Sequence, residues 1–94
     1  MHASLWTLKG EPDELLRRYE SMVTEIPAAS MRLHLCLRAD DGIVVIDTCP
    51  SEDIFREFAA GPFRALRAKH GLPAPERLED FPVHAAFLDG ERLG

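Results

Sequence analysis

The chain has 94 residues, 46% of them hydrophobic and 29% charged, and carries a formal net charge of −5. The length and ordinary composition predict one globular domain over residues 1-94. The acidic balance, with arginines scattered among Asp and Glu, argues against a nucleic-acid partner, and no apolar stretch approaches the ~18 residues of a membrane span.

In chain order, Ala3 to Leu8 reads as a short, partly alternating first strand. Lys9-Gly10-Glu11 breaks it, and Pro12 opens a helix where a missing N–H does no harm. Asp13 and Glu14 give the first turn the negative charge that the helix dipole favours. Leu15, Leu16, Tyr19, Met22, Val23 and Ile26 form one apolar stripe, and Pro27 ends the helix. Met31 to Arg38 alternates strictly: Met31, Leu33, Leu35 and Leu37 share one face, Arg32, His34, Cys36 and Arg38 the other. Ile43 to Cys49 is β-branched and apolar, the composition of a more central strand. Asp41-Gly42 between them predicts a two-residue turn in which glycine takes a positive φ. That register sets Arg38 opposite Val45, Cys36 opposite Asp47 and His34 opposite Cys49.

Ser51 is placed to cap a second helix whose apolar face is Ile54, Phe55, Phe58 and Ala59. Gly61-Pro62 interrupts it, the segment from Phe63 to Lys69 continues in a new direction, and Gly71 is expected as a left-handed C-cap. After a rigid Leu72-Pro73-Ala74-Pro75 linker, Phe81 to Leu88 reads as the last strand, with Pro82 assigning it to a sheet edge. Strand, helix, strand, strand, helix, strand is the split βαβ pattern of a ferredoxin-like α+β fold. Its antiparallel sheet runs in the order 4-1-3-2, with two helices on one face. The other face then carries an apolar row, Leu33, Leu35, Leu37, Val44 and Ile46 or the residues alternating with them, which predicts a covering sheet and so a homodimer.

The segments Ile46-Asp47-Thr48-Cys49-Pro50-Ser51-Glu52-Asp53-Ile54-Phe55, Gly61-Pro62-Phe63-Arg64-Ala65-Leu66 and Gly10-Glu11-Pro12-Asp13-Glu14-Leu15-Leu16 carry a resemblance. In them, and in element order over nearly the whole chain, it resembles the dimeric α/β-barrel proteins, especially the antibiotic biosynthesis monooxygenase-like group. The resemblance implies a homodimer with facing sheets, a pocket between sheet and helices in each subunit, and the Asp47/Cys49 face turned toward that pocket. Members of the group oxidise aromatic polyketides with O2 and no cofactor, isomerise lactones, degrade haem, or have no assigned activity. The fold alone therefore leaves function open. Where the group often has an acid, a spacer and a Trp, this chain reads Asp47-Thr48-Cys49. It has no Asn on the first or third strand and no His inside the second helix, His70 standing at the helix end.

His34, Cys36, Asp47 and Cys49 form a two-by-two patch in the expected register. These side-chain types suit Zn2+, but His-x-Cys plus Asp-x-Cys is not a standard zinc spacing, and Cys is a common core residue. Packing within a local polar network is therefore the stronger reading, and neither a metal nor a cofactor is expected. The two Cys would lie ~7–8 Å apart on the diagonal, too far for a relaxed disulfide. Met1-His2-Ala3-Ser4-Leu5 lacks the features of a signal peptide, so they read as reduced thiols of a cytoplasmic protein. His34 and His84, read as strand residues, and Asp47, able to orient an imidazole, are the candidate proton handlers. Trp6, Cys36, Cys49 and Arg38 are the candidate ligand contacts, with Trp6 favoured as core over pocket wall. Two function classes stay open. The missing Trp and Asn favour a non-catalytic module that binds a small apolar or aromatic molecule; the other class is a cofactor-free oxygenase or isomerase acting on a small aromatic or cyclic substrate.

Overall fold

The computed structural model describes residues 1–27 and 31–93. Strand β1, His2–Lys9, points His2, Ser4, Trp6 and Leu8 inward and leaves Ala3, Leu5 and Thr7 half-buried on the opposite face. Helix α1, Pro12–Val23, begins where the Glu11 carboxylate accepts from the backbone N–H of Asp13 (3.1 Å) and Glu14 (2.7 Å), a cap supplied by a long acid instead of the usual short one. Leu15, Tyr19 and Met22 are its buried stripe. Regular helix stops at Val23, short of the expected Ile26, because Glu25 and Ile26 donate to carbonyls three residues back instead of four. Ile26 still packs against the core.

Strands β2 (His34–Ala39) and β3 (Gly42–Cys49) form the central hairpin, with a register two residues away from the expected one. The turn lies on Asp40-Asp41, Ala39 pairs with Gly42, and His34 stands opposite Asp47, Cys36 opposite Val45 and Arg38 opposite Ile43. Because the pleat repeats every two residues, the shift preserves the faces and changes only the partners. Gly42 is required for a different reason from the one expected: a Cβ there would lie 2.0 Å from the carbonyl oxygen of Leu8 on β1. At the other end, β2 starts at His34, not Met31, because the Thr48 hydroxyl donates to the Leu33 carbonyl (3.0 Å) and accepts from its N–H (3.2 Å), replacing the next rung of the ladder.

Helix α2, Glu52–Ala60, is capped by Ser51, whose hydroxyl accepts from Ile54 N–H at 3.2 Å. Gly61-Pro62 breaks the chain into α3, Pro62–Lys69, and Gly71 follows it at φ 71°, as expected. The last strand of the sheet, β4, is Arg77–Pro82 and not Phe81–Leu88. Pro82 pairs with His2 at the end of the strand, and Val83 N–H still donates to the Met1 carbonyl beyond it (2.9 Å), so the proline stands where an edge strand needs no N–H toward β1. Phe87–Leu88 (β5) and Glu91–Arg92 (β6) make a separate small hairpin over Asp89-Gly90, both at positive φ.

The resulting fold is mixed α+β: one four-stranded antiparallel sheet in the order β2-β3-β1-β4, the order 4-1-3-2 when read from the β4 edge, compatible with a ferredoxin-like arrangement. The helices pack on one face, where Trp6, Leu8 and Ile43 meet Leu15, Tyr19, Met22, Phe55 and Leu72. The other face is open in this chain. Leu5, Val44 and Ile46 share it with Leu35, Leu37 and Phe81, which are 45%, 44% and 54% exposed.

Candidate functional site

The sheet and helices do not close completely on each other; between them lies a cavity of about 770 Å³. Trp6, from the middle of β1, forms part of its wall, packed edge-on against Phe55 of α2 (6.0 Å between centroids) and tilted over Phe63 of α3 (4.4 Å). Its indole N–H donates to Ser4 Oγ, 2.8 Å away on the same strand face. The one polar atom of the indole is thus satisfied by the chain itself, and the cavity meets an apolar ring. Trp6 is buried core and cavity wall at once.

The polar part of the lining comes from the neighbouring strands of the same sheet face. His34 and Asp47 are direct cross-strand partners, with Nδ1 2.9 Å from Oδ1. Tyr19, four residues after Leu15 on the buried stripe of α1, brings its phenol to 2.7 Å from His34 Nε2, the two rings lying nearly parallel. All three residues line the cavity. Burial pushes the Tyr19 phenol up to about 12, and its acidic neighbours Cys36, Glu20 and Asp47 act in the same direction as they ionise. The Asp47 carboxylate can only accept, so Nδ1 of the imidazole carries the proton directed at it, and in that tautomer Nε2 accepts from the Tyr19 hydroxyl. The result is a continuous chain, Tyr19 O–H to His34 Nε2, His34 Nδ1–H to Asp47, with the lone pairs of the phenol oxygen left over.

Four of the seven residues singled out from sequence, His34, Asp47, Trp6 and Cys49, line the cavity. His84 lines it too, but from the exposed segment between β4 and β5, because the strand expected there ends at Pro82. Cys36 and Arg38 lie off the cavity. Cys36 shares the helix-facing side with His34 but opposes Val45, and Arg38 sits at the far end of β2, paired with Asp13 at 2.6 Å. Both cysteines are free, with their thiols pushed up by burial, and Cys49 donates to the Ser51 carbonyl (3.2 Å). They are poor nucleophiles there. Tyr19 was missed by sequence reasoning because a tyrosine on an apolar stripe reads as core; its polar tip was the available signal.

The patch expected to be able to hold a metal does not converge: Cys36 and Cys49 lie on different strands, separated by four positions in register. Among the described residues, His2, Glu52 and Asp80 are the group whose ligand atoms lie within 4.8 Å of one another. Here Arg56 Nη2 already donates to Asp80 (2.9 Å) and Glu52 (3.0 Å), while buried His2 bonds Asp80 at 2.7 Å. The hydrogen bond from His2 and then the Arg56 guanidinium hold the Asp80 carboxyl below its usual range. A guanidinium is the cation of this cluster, and its geometry ties α2 to β1 and β4. No helix among the described residues is long and apolar enough to cross a membrane.

Comparison with known proteins adds no assignment. No protein-family model matches the chain, and no curated protein sequence matches it.

Proposed function

We propose that this chain is a dimeric α/β-barrel protein of ferredoxin-like type that binds a small apolar or aromatic molecule in the cavity between its sheet and helices, without cofactor. The carrying observation is the cavity: about 770 Å³, inside the range of roughly 300–1,000 Å³ usual for ligand pockets, walled by Trp6, Phe55 and Phe63 and bearing a few polar groups on one side. The apolar row on the open sheet face and the resemblance in element order to the antibiotic biosynthesis monooxygenase-like group support the homodimer. The two free thiols fit a cytoplasmic setting.

The test is titration with N-phenyl-1-naphthylamine, a neutral aromatic probe, followed through quenching of Trp6, the one tryptophan in the chain. One probe per chain is expected. Val45→Phe, which fills the cavity from β3, is expected to abolish binding; retention of the same affinity in that variant would place the probe elsewhere and refute the proposal.

The Tyr19–His34–Asp47 chain favours a second reading, a cofactor-independent isomerase or monooxygenase acting on a small aromatic or cyclic substrate. The free lone pair of Tyr19 accepts a proton from a bound hydroxyl while its own proton passes to His34 Nε2, and Asp47 stabilises the imidazolium so formed. Turnover that survives His34→Gln unchanged would eliminate this role.

A further inference from the structure

We infer that the molecule held in the cavity is an organic anion, with its apolar body inside and a carboxylate or similar acid group held by Arg32. The inference rests on the cavity-binding proposal and adds the chemical class of the ligand. It follows from how charge is distributed around the cavity. Basic side chains elsewhere on the surface are largely committed: Arg38 pairs with Asp13, Arg56 with Glu52 and Asp80, and Lys69 with Glu25. Arg32 has no ion-pair partner among the described residues, and it is the only Lys or Arg among them that lines the cavity.

Among the described residues Asp47 is the one carboxylate that lines the cavity, and it is engaged by His34 Nδ1–H. An entering acid therefore meets the uncommitted Arg32 guanidinium, while the Asp47 carboxylate is occupied by its hydrogen bond to His34. Arg32 lines the same cavity as Tyr19 and Trp6, so an acid group held by its planar fork leaves the body of the ligand to the apolar lining. The exposed ring of His84 lines the cavity from the segment after β4 and offers a further donor. A neutral apolar ligand would use none of these groups.

Two probes that differ only in a sulfonate make the test: 1-anilinonaphthalene-8-sulfonate and N-phenyl-1-naphthylamine, each titrated against the full chain with Trp6 quenching as readout. Arg32→Gln is expected to weaken the sulfonate about tenfold while leaving the neutral probe within about twofold. Arg32→Lys, which keeps the charge but loses the fork, is expected to retain part of the preference. Arg64→Gln removes an exposed arginine that does not line the cavity, and is expected to change neither affinity. If Arg32→Gln leaves the ratio of the two affinities unchanged, or Arg64→Gln lowers it equally, the anion inference is overturned and the cavity proposal stands. If neither probe binds the wild-type chain, both fall.

Discussion

Tyr19 is the only tyrosine in the chain, so its ionisation can be followed by ultraviolet absorbance without overlap from another phenol. In the folded protein the midpoint is expected near pH 12, against about 10 in a free peptide, because burial disfavours the phenolate. The sign for stability follows. The native state keeps this proton after the unfolded chain has lost it, so its contribution is complete below pH 10 and disappears as pH rises through 12. A shift of this size corresponds to about 2–3 kcal/mol, and Tyr19→Phe is expected to lack that alkaline dependence in urea unfolding. A midpoint near 10 in folded protein would mean the phenol is open to water and not locked onto His34. At neutral pH, Tyr19→Phe costs about 1–3 kcal/mol by leaving His34 Nε2 without its donor.

At the scale of elements, Gly42 and Gly90 make a matched pair of tests. An added Cβ at Gly42 runs into the Leu8 carbonyl at 2.0 Å, whereas at Gly90 nothing lies within 4 Å and only the φ of 80° opposes a side chain. Gly42→Ala is expected to cost at least about 2 kcal/mol and Gly90→Ala about 1 kcal/mol; equal losses in thermal unfolding would contradict the close β1–β3 approach. These two glycines also show where the sequence was legible. The Asp-Gly signal for a tight hairpin was sound chemistry, but it operates at Asp89-Gly90, while at Asp41-Gly42 the glycine answers to a neighbouring strand that no local pattern reveals. Helices α1 and α2 were readable because their apolar residues recur at helical spacing beside a proline or serine start. Strand β4 was not, since Arg77-Leu78-Glu79-Asp80 is charged on both faces, as an edge strand permits. Of the site, the shared face of His34 and Asp47 survived a wrong register because an error of two residues leaves the pleat in phase. The contribution of Tyr19 depended on how α1 docks on the sheet, which sequence spacing alone does not give.

At the scale of the whole molecule, the open sheet face and the cavity make separate demands. Leu35, Leu37 and Phe81 project from the face away from the helices, so charge introduced there is expected to break a dimer and spare the cavity. Leu35→Glu with Leu37→Glu should weaken the proposed self-association at least about a hundredfold, seen by sedimentation as a monomer at concentrations where the wild-type chain is expected to sediment as a dimer. A wild-type monomer at micromolar concentration would remove the homodimer from the proposal. The two faces also make the decisive measurement simple, because methyl groups report on each. Methyl NMR of the wild-type chain titrated with N-phenyl-1-naphthylamine is expected to shift Leu8, Ile43, Val45 and Leu72, which line the cavity, while Leu35, Leu37 and Ile46 stay in place. Shifts confined to Leu35, Leu37 and Ile46, or no shifts at all, would contradict a ligand site between sheet and helices.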